Sequence, residues 1–221
     1  MPKSKVIFIT ATDTGVGKTV VTLCLGVLLK AQGYDVGIMK PVQCAGRDAR
    51  FLKKALGIQD DLKHINPFYA PEPLSPHLAF RRAKIKFDKR WVQACLKELQ
   101  ARHDIILVEG AGGLMVPLTG RYYNADLIAD LKAEVIIVAR LGLGTINHTL
   151  LTINEIKKRG LPLKGLVFCQ TRPSSKTLPQ STNPGEIAKL STVKVLGIIP
   201  YLKPLNRKHI LRRCQNLKLD V

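Results

Sequence analysis

The sequence predicts an α/β fold: a single-domain, doubly wound, mostly parallel sheet with helices on both faces. Three observations predict this fold. Apolar runs rich in β-branched residues recur along the chain and alternate with helical patterns. Runs such as I-I-L-V and V-I-I-V-A are almost continuously apolar, which is typical of parallel strands buried on both faces. Finally, 221 residues, of which 46% are hydrophobic, suit one compact domain.

Each element of this fold is placed by its local pattern. The predicted strands are Lys5–Thr10, Val36–Lys40, Asp104–Glu109, Glu134–Ala139, Leu163–Cys169 and Val193–Ile199. The predicted helices between them are Lys18–Gln32, Arg47–Leu56, Asp88–Arg102 and Thr145–Arg159. The proline-dense segment Asn66–His77 predicts an ordered surface loop and no helix. We expect one domain over residues 1–221, with a basic C-terminal tail from about residue 203 to residue 221.

Composition restricts the cellular setting. No apolar run approaches the ~20 residues that a membrane-spanning helix needs, and the apolar segment at the N-terminus is too short for a secretory signal. The five cysteines are scattered, odd in number and without a C-x-x-C pair, which argues against a disulfide framework and against a zinc site. We therefore predict a cytoplasmic protein with no membrane partner.

The net charge of +19 is the most unusual property of the chain. Two clusters contribute heavily: Arg81, Arg82, Lys84, Lys86, Lys89 and Arg90, and then Lys203, Arg207, Lys208, Arg212, Arg213 and Lys218. Such charge is compatible with nucleic-acid binding. However, neither cluster contains interleaved aromatic residues on which bases could stack. The pattern favours a solvated basic surface over a functional nucleic-acid site.

A phosphate-binding loop follows the first predicted strand. Residues 12–19 read T-D-T-G-V-G-K-T, so Thr12 stands where the common pattern G-x-x-x-x-G-K-[ST] has its first glycine. A strand before the loop and a helix from Lys18 give the context in which such a loop works. Backbone N–H groups from Gly15 to Thr19 and the helix N-terminus would face phosphate oxygens. Lys18 would pair with the phosphates, and the Thr19 hydroxyl would bind Mg²⁺.

This spelling of the loop resembles the dethiobiotin synthetase family, and further motifs follow in the family's order. K-P-V-Q follows the second predicted strand at residues 40–43, and an N-P…S-P-H segment lies between Asn66 and His77. V-E-G-A-G-G ends the third predicted strand at residues 108–113, and L-G-x-x-N-H opens a helix at residues 143–148. The resemblance extends from about Lys5 to Leu202.

The resemblance implies an ATP-dependent ligase of biotin biosynthesis. Such an enzyme joins 7,8-diaminopelargonate and CO₂ to dethiobiotin, with ATP as co-substrate and Mg²⁺ as cofactor, through a carbamate and a carbamic–phosphoric anhydride. Because two anions must meet, lysines and Mg²⁺ would supply most of the catalysis by electrostatic stabilisation. No nucleophilic side chain is required, and no role is left for His77 or His148 beyond loop structure and helix packing. A homodimer with shared active sites is also implied.

The resemblance also assigns roles to individual residues. Lys18, Lys40 and Thr14 would act in catalysis, and Thr19, Asp48 and Glu109 would hold Mg²⁺. ATP would contact Asp13, Gly15, Val16, Gly17, Lys18, Thr19, Val20, Asp48, Glu109, Gly110, Ala111, Gly112, Cys169, Gln170, Pro200, Tyr201 and Leu202. Diaminopelargonate would contact Thr14, Lys40, Cys44, Gly144, Thr145, Ile146 and Asn147, the last four belonging to the opposite subunit. Cys44 and Cys169 depart from the family, which commonly has Ser or Thr and Asn at these places; a thiol is a weaker hydrogen-bond donor than a hydroxyl.

The alternative prediction is a partitioning-type ATPase that binds nucleic acid through its basic surface. Those ATPases share the fold and an altered phosphate loop, but they carry an additional lysine five positions before the main one. Asp13 occupies that position here. The sequence therefore favours the ligase.

Overall fold

The central sheet forms where the longest buried apolar runs occur. The computed structural model describes residues 4–173 and 177–219. Over these residues the strands are β1 (Lys5–Ala11), β2 (Val36–Met39), β3 (Val42–Cys44), β4 (Phe68–Ala70), β5 (Ile105–Glu109), β6 (Pro117–Thr119), β7 (Tyr122–Tyr123), β8 (Glu134–Ala139), β9 (Leu163–Cys169) and β10 (Val195–Ile199). Six of them form one parallel sheet in the order β10-β9-β8-β1-β5-β2. The remaining strands form the short pairs β3-β4 and β6-β7.

Helices cover both faces of this sheet. They are α1 (Lys18–Ala31), α2 (Asp48–Leu56), α3 (Leu62–Ile65), α4 (Pro76–Arg82), α5 (Lys89–Gln100), α6 (Asn124–Leu131), α7 (Thr145–Lys158), α8 (Leu178–Ser191) and α9 (Arg207–Arg213). Successive residues of β1 point to opposite faces, so Ile7 and Ile9 pack with α1, α2 and α9, whereas Val6 and Phe8 pack with α5, α6 and α7. The predicted doubly wound α/β fold is confirmed.

The predicted elements agree with the structure where the apolar pattern is long. β8 and β9 have the predicted bounds, and the other sheet strands and the four predicted helices differ by one or two residues at one end or, for α5, at both ends. The prediction for Asn66–His77 was wrong in part: β4 lies inside this segment, and α4 begins at Pro76. Proline is compatible with the first turn of a helix, because its missing N–H would have no partner there.

The C-terminal segment carries a helix on the α1 face of the sheet. Arg207, Lys208, Arg212 and Arg213 of α9 are exposed. Ile210 on the same helix, and Cys214 and Leu217 just after it, are buried in the core beside α1. The second basic cluster thus lies on the solvent side of a packed segment.

Two further features concern the whole described chain. None of its helices is both long and apolar enough to cross a membrane. All five cysteines are free thiols. The cellular location stays a prediction.

Candidate active site

The loop between β1 and α1 has the backbone conformation of a phosphate-binding loop. Gly15 and Gly17 have φ angles of 74° and 101°, values that residues with a Cβ atom rarely adopt. Gly17 is also the N-cap of α1, and as a glycine it has no side chain that could bond to the first N–H groups of the helix. The first N–H groups of α1 are therefore available to an anion.

Space is a second reason for glycine at position 17. A Cβ atom there would lie 2.5 Å from Sγ of Cys169, the last residue of β9. The Cys169 side chain at the end of β9 thus packs against the loop and leaves no space for a side chain at position 17.

Five side chains from four segments converge beside this loop. Lys40 follows β2, Glu109 ends β5, Asp48 begins α2, and Lys18 and Thr19 begin α1. Lys40 Nζ donates to both Asp48 Oδ2, at 3.2 Å, and Glu109 Oε1. The Thr19 hydroxyl donates to Glu109 Oε1 at 2.9 Å. Parallel strands bring these residues together because their carboxyl ends meet at one edge of the sheet.

Charge and burial oppose each other at the two lysines. Burial, and then the neighbouring Lys40 ammonium, lower the pKa of Lys18 to about 8, although Glu109 and Asp48 pull it in the opposite direction. Burial alone would also lower the pKa of Lys40, but the Glu109 and Asp48 carboxylates outweigh it and the pKa is raised. Lys40 therefore stays charged, and a further anion beside Lys18 would raise the pKa of Lys18 again.

One carboxylate oxygen of Glu109 has no hydrogen-bond partner in the part of the chain that the structure describes. The residue is fully buried, and Oε1 accepts from Lys40 and Thr19, while Oε2 accepts from no group of residues 4–173 and 177–219. A buried carboxylate oxygen without a partner is costly unless a ligand satisfies it. With the Thr19 hydroxyl and the half-exposed Asp48 carboxylate nearby, this donor set fits Mg²⁺, which takes one or two carboxylates and completes its shell with water and phosphate oxygens. No described group of three or more His, Cys, Asp or Glu residues forms a metal site by itself.

The site opens into a cavity of about 580 Å³. Most predicted phosphate, metal and catalytic residues line it: Thr14, Gly15, Gly17, Lys18, Thr19, Val20, Lys40, Cys44, Asp48, Glu109, Ala111 and Gly112. Burial raises the pKa of the Cys44 thiol, so this wall of the cavity presents a neutral thiol.

The other predicted residues lie outside this cavity. Asp13, Val16 and Gly110 are neighbours of lining residues, but Val16 packs into the core and Gly110 lies against the Phe8 ring. The loop at Gly144, together with Thr145, Ile146 and Asn147, forms the N-terminus of α7. Cys169, Gln170, Pro200, Tyr201 and Leu202 follow at the carboxyl ends of β9 and β10.

Sequence reasoning missed several residues that shape the cavity. The cavity is lined by Pro73, Leu74 and Ser75, which come just before α4. Val42 and Gln43 of β3 also line it. The serine–proline pair that opens α4 could have indicated a helix start.

Asn124 was also missed, although it organises the site. Its buried amide donates to the Ala111 and Gly113 carbonyls, at 2.7 and 2.8 Å, and so fixes the loop after β5. No local pattern marks this long-range contact.

The two histidines make local contacts. At the start of α4, His77 Nδ1 lies 3.0 Å from the Ser75 hydroxyl. In the first turn of α7, His148 Nδ1 lies 3.2 Å from the guanidinium of Arg140, which precedes the helix. Neither histidine lines the cavity.

Comparison with known proteins agrees with this geometry. A family model described as an AAA domain matches residues 5–209. The chain is 41% identical to an ATP-dependent dethiobiotin synthetase of Anaeromyxobacter dehalogenans, over 91% of this chain and 92% of that one. It is 38% identical to the enzyme of the same name from Thermodesulfovibrio yellowstonii, over 92% and 91% of the two chains. The chain belongs to the ATP-dependent dethiobiotin synthetase family.

Among solved structures, this dethiobiotin synthetase family member shares its fold with more distant ATPases. The septum site-determining protein MinD of Pyrococcus horikoshii, solved with Mg-ADP, superposes with a TM-score of 0.61 at 21% identity, over 95% of this chain and 86% of that one. A ParA family ATPase of Chlorobium tepidum gives a TM-score of 0.58 at 15% identity, over 97% and 94% of the two chains. Identities this low show a common fold and no more.

Proposed function

We propose that this protein is a ligase that makes dethiobiotin in biotin biosynthesis, joining diaminopelargonate and CO₂ at the expense of ATP. The proposed reaction rests on membership of the dethiobiotin synthetase family. The observation that carries the site is the convergence of Lys18, Thr19, Lys40, Asp48 and Glu109 at one cavity beside a phosphate-binding loop. These groups suit a reaction in which anions must approach one another.

The phosphate side of the site would be held by the loop and α1. Gly15 and Gly17 let the backbone approach the ligand, and the uncapped start of α1 offers N–H groups to phosphate oxygens. Lys18 would add a cation at the same place. Phosphate would in turn favour the charged form of Lys18, because an adjacent anion raises a lysine pKa.

The cofactor would be Mg²⁺, held by Thr19, Asp48 and Glu109. When bound, Mg²⁺ neutralises charge on the phosphates during transfer. The unpartnered Glu109 Oε2 supports this assignment, because a cation would satisfy it. Lys40 now occupies the other carboxylate oxygen, and we infer that it turns toward the anionic substrate when the site is filled.

The substrate side would contain Thr14, Lys40 and Cys44. All three line the cavity, with Thr14 on the phosphate loop and Cys44 at the end of β3. In our proposal Lys40 stabilises the carbamate as it attacks the γ-phosphate, and the second amine then closes the ring. Cys44 would contact the substrate with a neutral thiol.

The nucleobase would lie near the ends of β9 and β10. Cys169, Gln170 and the segment Pro200–Leu202 lie at this edge of the sheet. The buried Cys169 thiol, whose pKa burial raises to about 12, stays neutral and cannot make the paired contact of an amide. We therefore propose that Gln170 or backbone groups contact the base.

The complete site would need two copies of the chain. Gly144, Thr145, Ile146 and Asn147 do not line the cavity of their own chain. In the proposed homodimer, the N-terminus of α7 from one subunit binds the substrate carboxylate in the site of its partner, an arrangement that helix polarity favours.

The partitioning ATPase is the weaker candidate. The fold is common to both classes of protein, so the structural likeness does not separate them. Asp13 at the position of the additional lysine argues against it.

The testing experiment is an assay of phosphate release by the purified protein with ATP, Mg²⁺ and bicarbonate. We expect release to depend on diaminopelargonate and to vanish in Lys18→Ala, which lacks the cation of the phosphate loop. Release that is independent of diaminopelargonate but stimulated by DNA would favour the partitioning ATPase instead.

A further inference from the structure

Three thiols meet in the core below the phosphate-binding loop. Cys24 lies on α1, Cys169 ends β9, and Cys214 follows α9. All three are free and buried, with exposed fractions of 0%, 2% and 0%. The proposed reaction uses no thiol as a nucleophile, so it gives no reason for this arrangement.

Cys24 and Cys214 are in direct contact. Their Sγ atoms lie 3.9 Å apart, with Cys214 donating to Cys24, although the two residues are separated by 190 positions in the chain. A disulfide requires about 2.05 Å between the sulfurs. Each thiol would move by about one ångström, which side-chain rotation and a small shift of the C-terminal segment can supply.

The segment that carries Cys214 packs on α1 through apolar side chains, with Leu205, Leu211 and Leu219 partly buried beside the core. Ile210, Cys214 and Leu217 point into the core, and the Lys218 N–H donates to the Leu196 carbonyl at 2.9 Å on the edge strand β10. Its basic residues Arg212 and Arg213 face solvent. A helix of seven residues near a chain terminus belongs to the parts of a protein that open locally, and opening here would expose both thiols.

Cys169 is held differently. It ends a strand that pairs with β8 on one side and β10 on the other, so its backbone is fixed. Its Sγ lies 2.5 Å from where a Cβ of Gly17 would be, directly under the phosphate loop. Moving this sulfur toward Cys214 would remove the support of the loop.

We propose that Cys24 and Cys214 are a reversible disulfide site that ties the C-terminal segment to α1, while Cys169 stays reduced. The site goes beyond the ligase reaction and does not depend on it. The disulfide would close a loop of about 190 residues, and long loops give the largest stabilisation in the chain-entropy model.

The oxidant would be a small-molecule disulfide such as oxidised glutathione. The Cys214 thiolate attacks one sulfur of the oxidant and releases one glutathione thiol; the Cys24 thiolate then attacks the Cys214 sulfur and releases the second. Two protein thiols lose two electrons and two protons, and one oxidant disulfide becomes two thiols. Cys214 is the attacking group because it lies on the segment that opens, whereas Cys24 lies on α1.

The test treats the full-length wild-type protein with oxidised glutathione about ten degrees below its unfolding midpoint, where local opening is frequent. Free thiols are then alkylated under denaturing conditions, and peptides are mapped by mass spectrometry. We expect a Cys24–Cys214 linked peptide, alkylated Cys169, and reversal by dithiothreitol. The oxidised protein should unfold at a temperature roughly 10 °C higher than the reduced protein.

Two variants sharpen the result. Cys24→Ala should lose both the linked peptide and the temperature shift, whereas Cys95→Ala, which removes a buried thiol on the other face of the sheet, should keep both. No linked peptide in the wild type, a linked peptide that contains Cys169, or a temperature shift that survives in Cys24→Ala would overturn the proposal. The wild-type peptide map decides even where a variant does not fold.

Discussion

At the scale of single residues, the site is built around one buried ion pair. Lys40 and Glu109 have side chains that are 6% and 1% exposed, and Glu109 also accepts from Thr19. Desolvating two charges is costly, so such a pair is tolerated only while both partners are present. The same groups therefore contribute to stability and, in our proposal, to catalysis.

Lys40→Met should separate these two contributions. Because Glu109 would lose its buried cation, we expect the free energy of unfolding, measured with urea, to fall by about 3 kcal/mol. The double variant Lys40→Met with Glu109→Gln should recover most of that loss, since the amide that replaces the carboxylate carries no charge, but it should remain inactive. Recovery of activity together with stability would show that the pair is only structural.

Glu109→Gln alone should raise the Mg²⁺ requirement. It replaces the proposed anionic ligand, whose Oε2 accepts from no described protein group, with a neutral amide. The measurement is the Mg²⁺ concentration at half-maximal activity, with Asp48→Asn as the matched change at a carboxylate that is 44% exposed. We expect the larger increase for Glu109→Gln; an unchanged requirement would remove Glu109 from the metal site.

The residues of the candidate active site could be predicted from the sequence only in part. Lys18, Thr19, Lys40 and Glu109 belong to local motifs that begin at or just after the ends of strands, so the sequence identifies them. Asn124 carries no such motif, and its contacts with the loop after β5 span 11 and 13 positions. The unpartnered oxygen of Glu109 likewise depends on packing that no local pattern encodes.

At the scale of elements, the phosphate loop depends on the end of a neighbouring strand. Gly17 caps α1 in a left-handed conformation and lies against Cys169 of β9. Both the backbone conformation and the contact with Cys169 therefore require glycine at position 17. At Gly15 the conformation is similar, but an added Cβ would meet nothing within 4 Å.

Gly17→Ala and Gly15→Ala should accordingly differ. Both incur the cost of a positive φ, about 1–2 kcal/mol, but only Gly17→Ala also displaces the Cys169 sulfur. We expect Gly17→Ala to lose ATP binding by calorimetry and Gly15→Ala to keep measurable affinity. Equal affinities would contradict the supporting role of the β9 end.

The sequence predicted the continuously apolar strands well, but it missed elements whose local residues are typical of turns. Apolar runs such as β8 and β9 are buried on both faces, so periodicity and composition agree over their whole length. Helix α8 was not predicted, because Pro179, Pro184 and Gly185 are typical of turns; in the structure Pro179 lies in the first turn and Pro184 is buried inside the helix. Packing against the core overrides local preference there.

At the scale of the whole molecule, the active site is proposed to join two subunits. The α7 N-terminus lies outside its own cavity. Leu143 just before it and Leu151 further along α7 are 85% and 61% accessible. Exposed apolar side chains beside a functional segment suit a contact with a second copy.

Mixed dimers would test this arrangement. Lys18→Ala removes the phosphate-loop cation, and Asn147→Asp places a negative charge where α7 would meet the substrate carboxylate, without harming the helix start. Each variant alone should be nearly inactive. Co-expressed, they should recover about a quarter of wild-type activity, because half of the dimers have one site free of both changes. No recovery would mean that α7 serves its own chain.

The central claim is that this site closes the ring of dethiobiotin. The most direct measurement supplies ¹³C-bicarbonate, diaminopelargonate, ATP and Mg²⁺, and follows the product by mass spectrometry. We predict dethiobiotin labelled at the ring carbonyl, with one ADP formed per dethiobiotin, and no product from Lys18→Ala. ATP hydrolysis without labelled dethiobiotin, or labelled product from Lys18→Ala at the wild-type rate, would contradict the account.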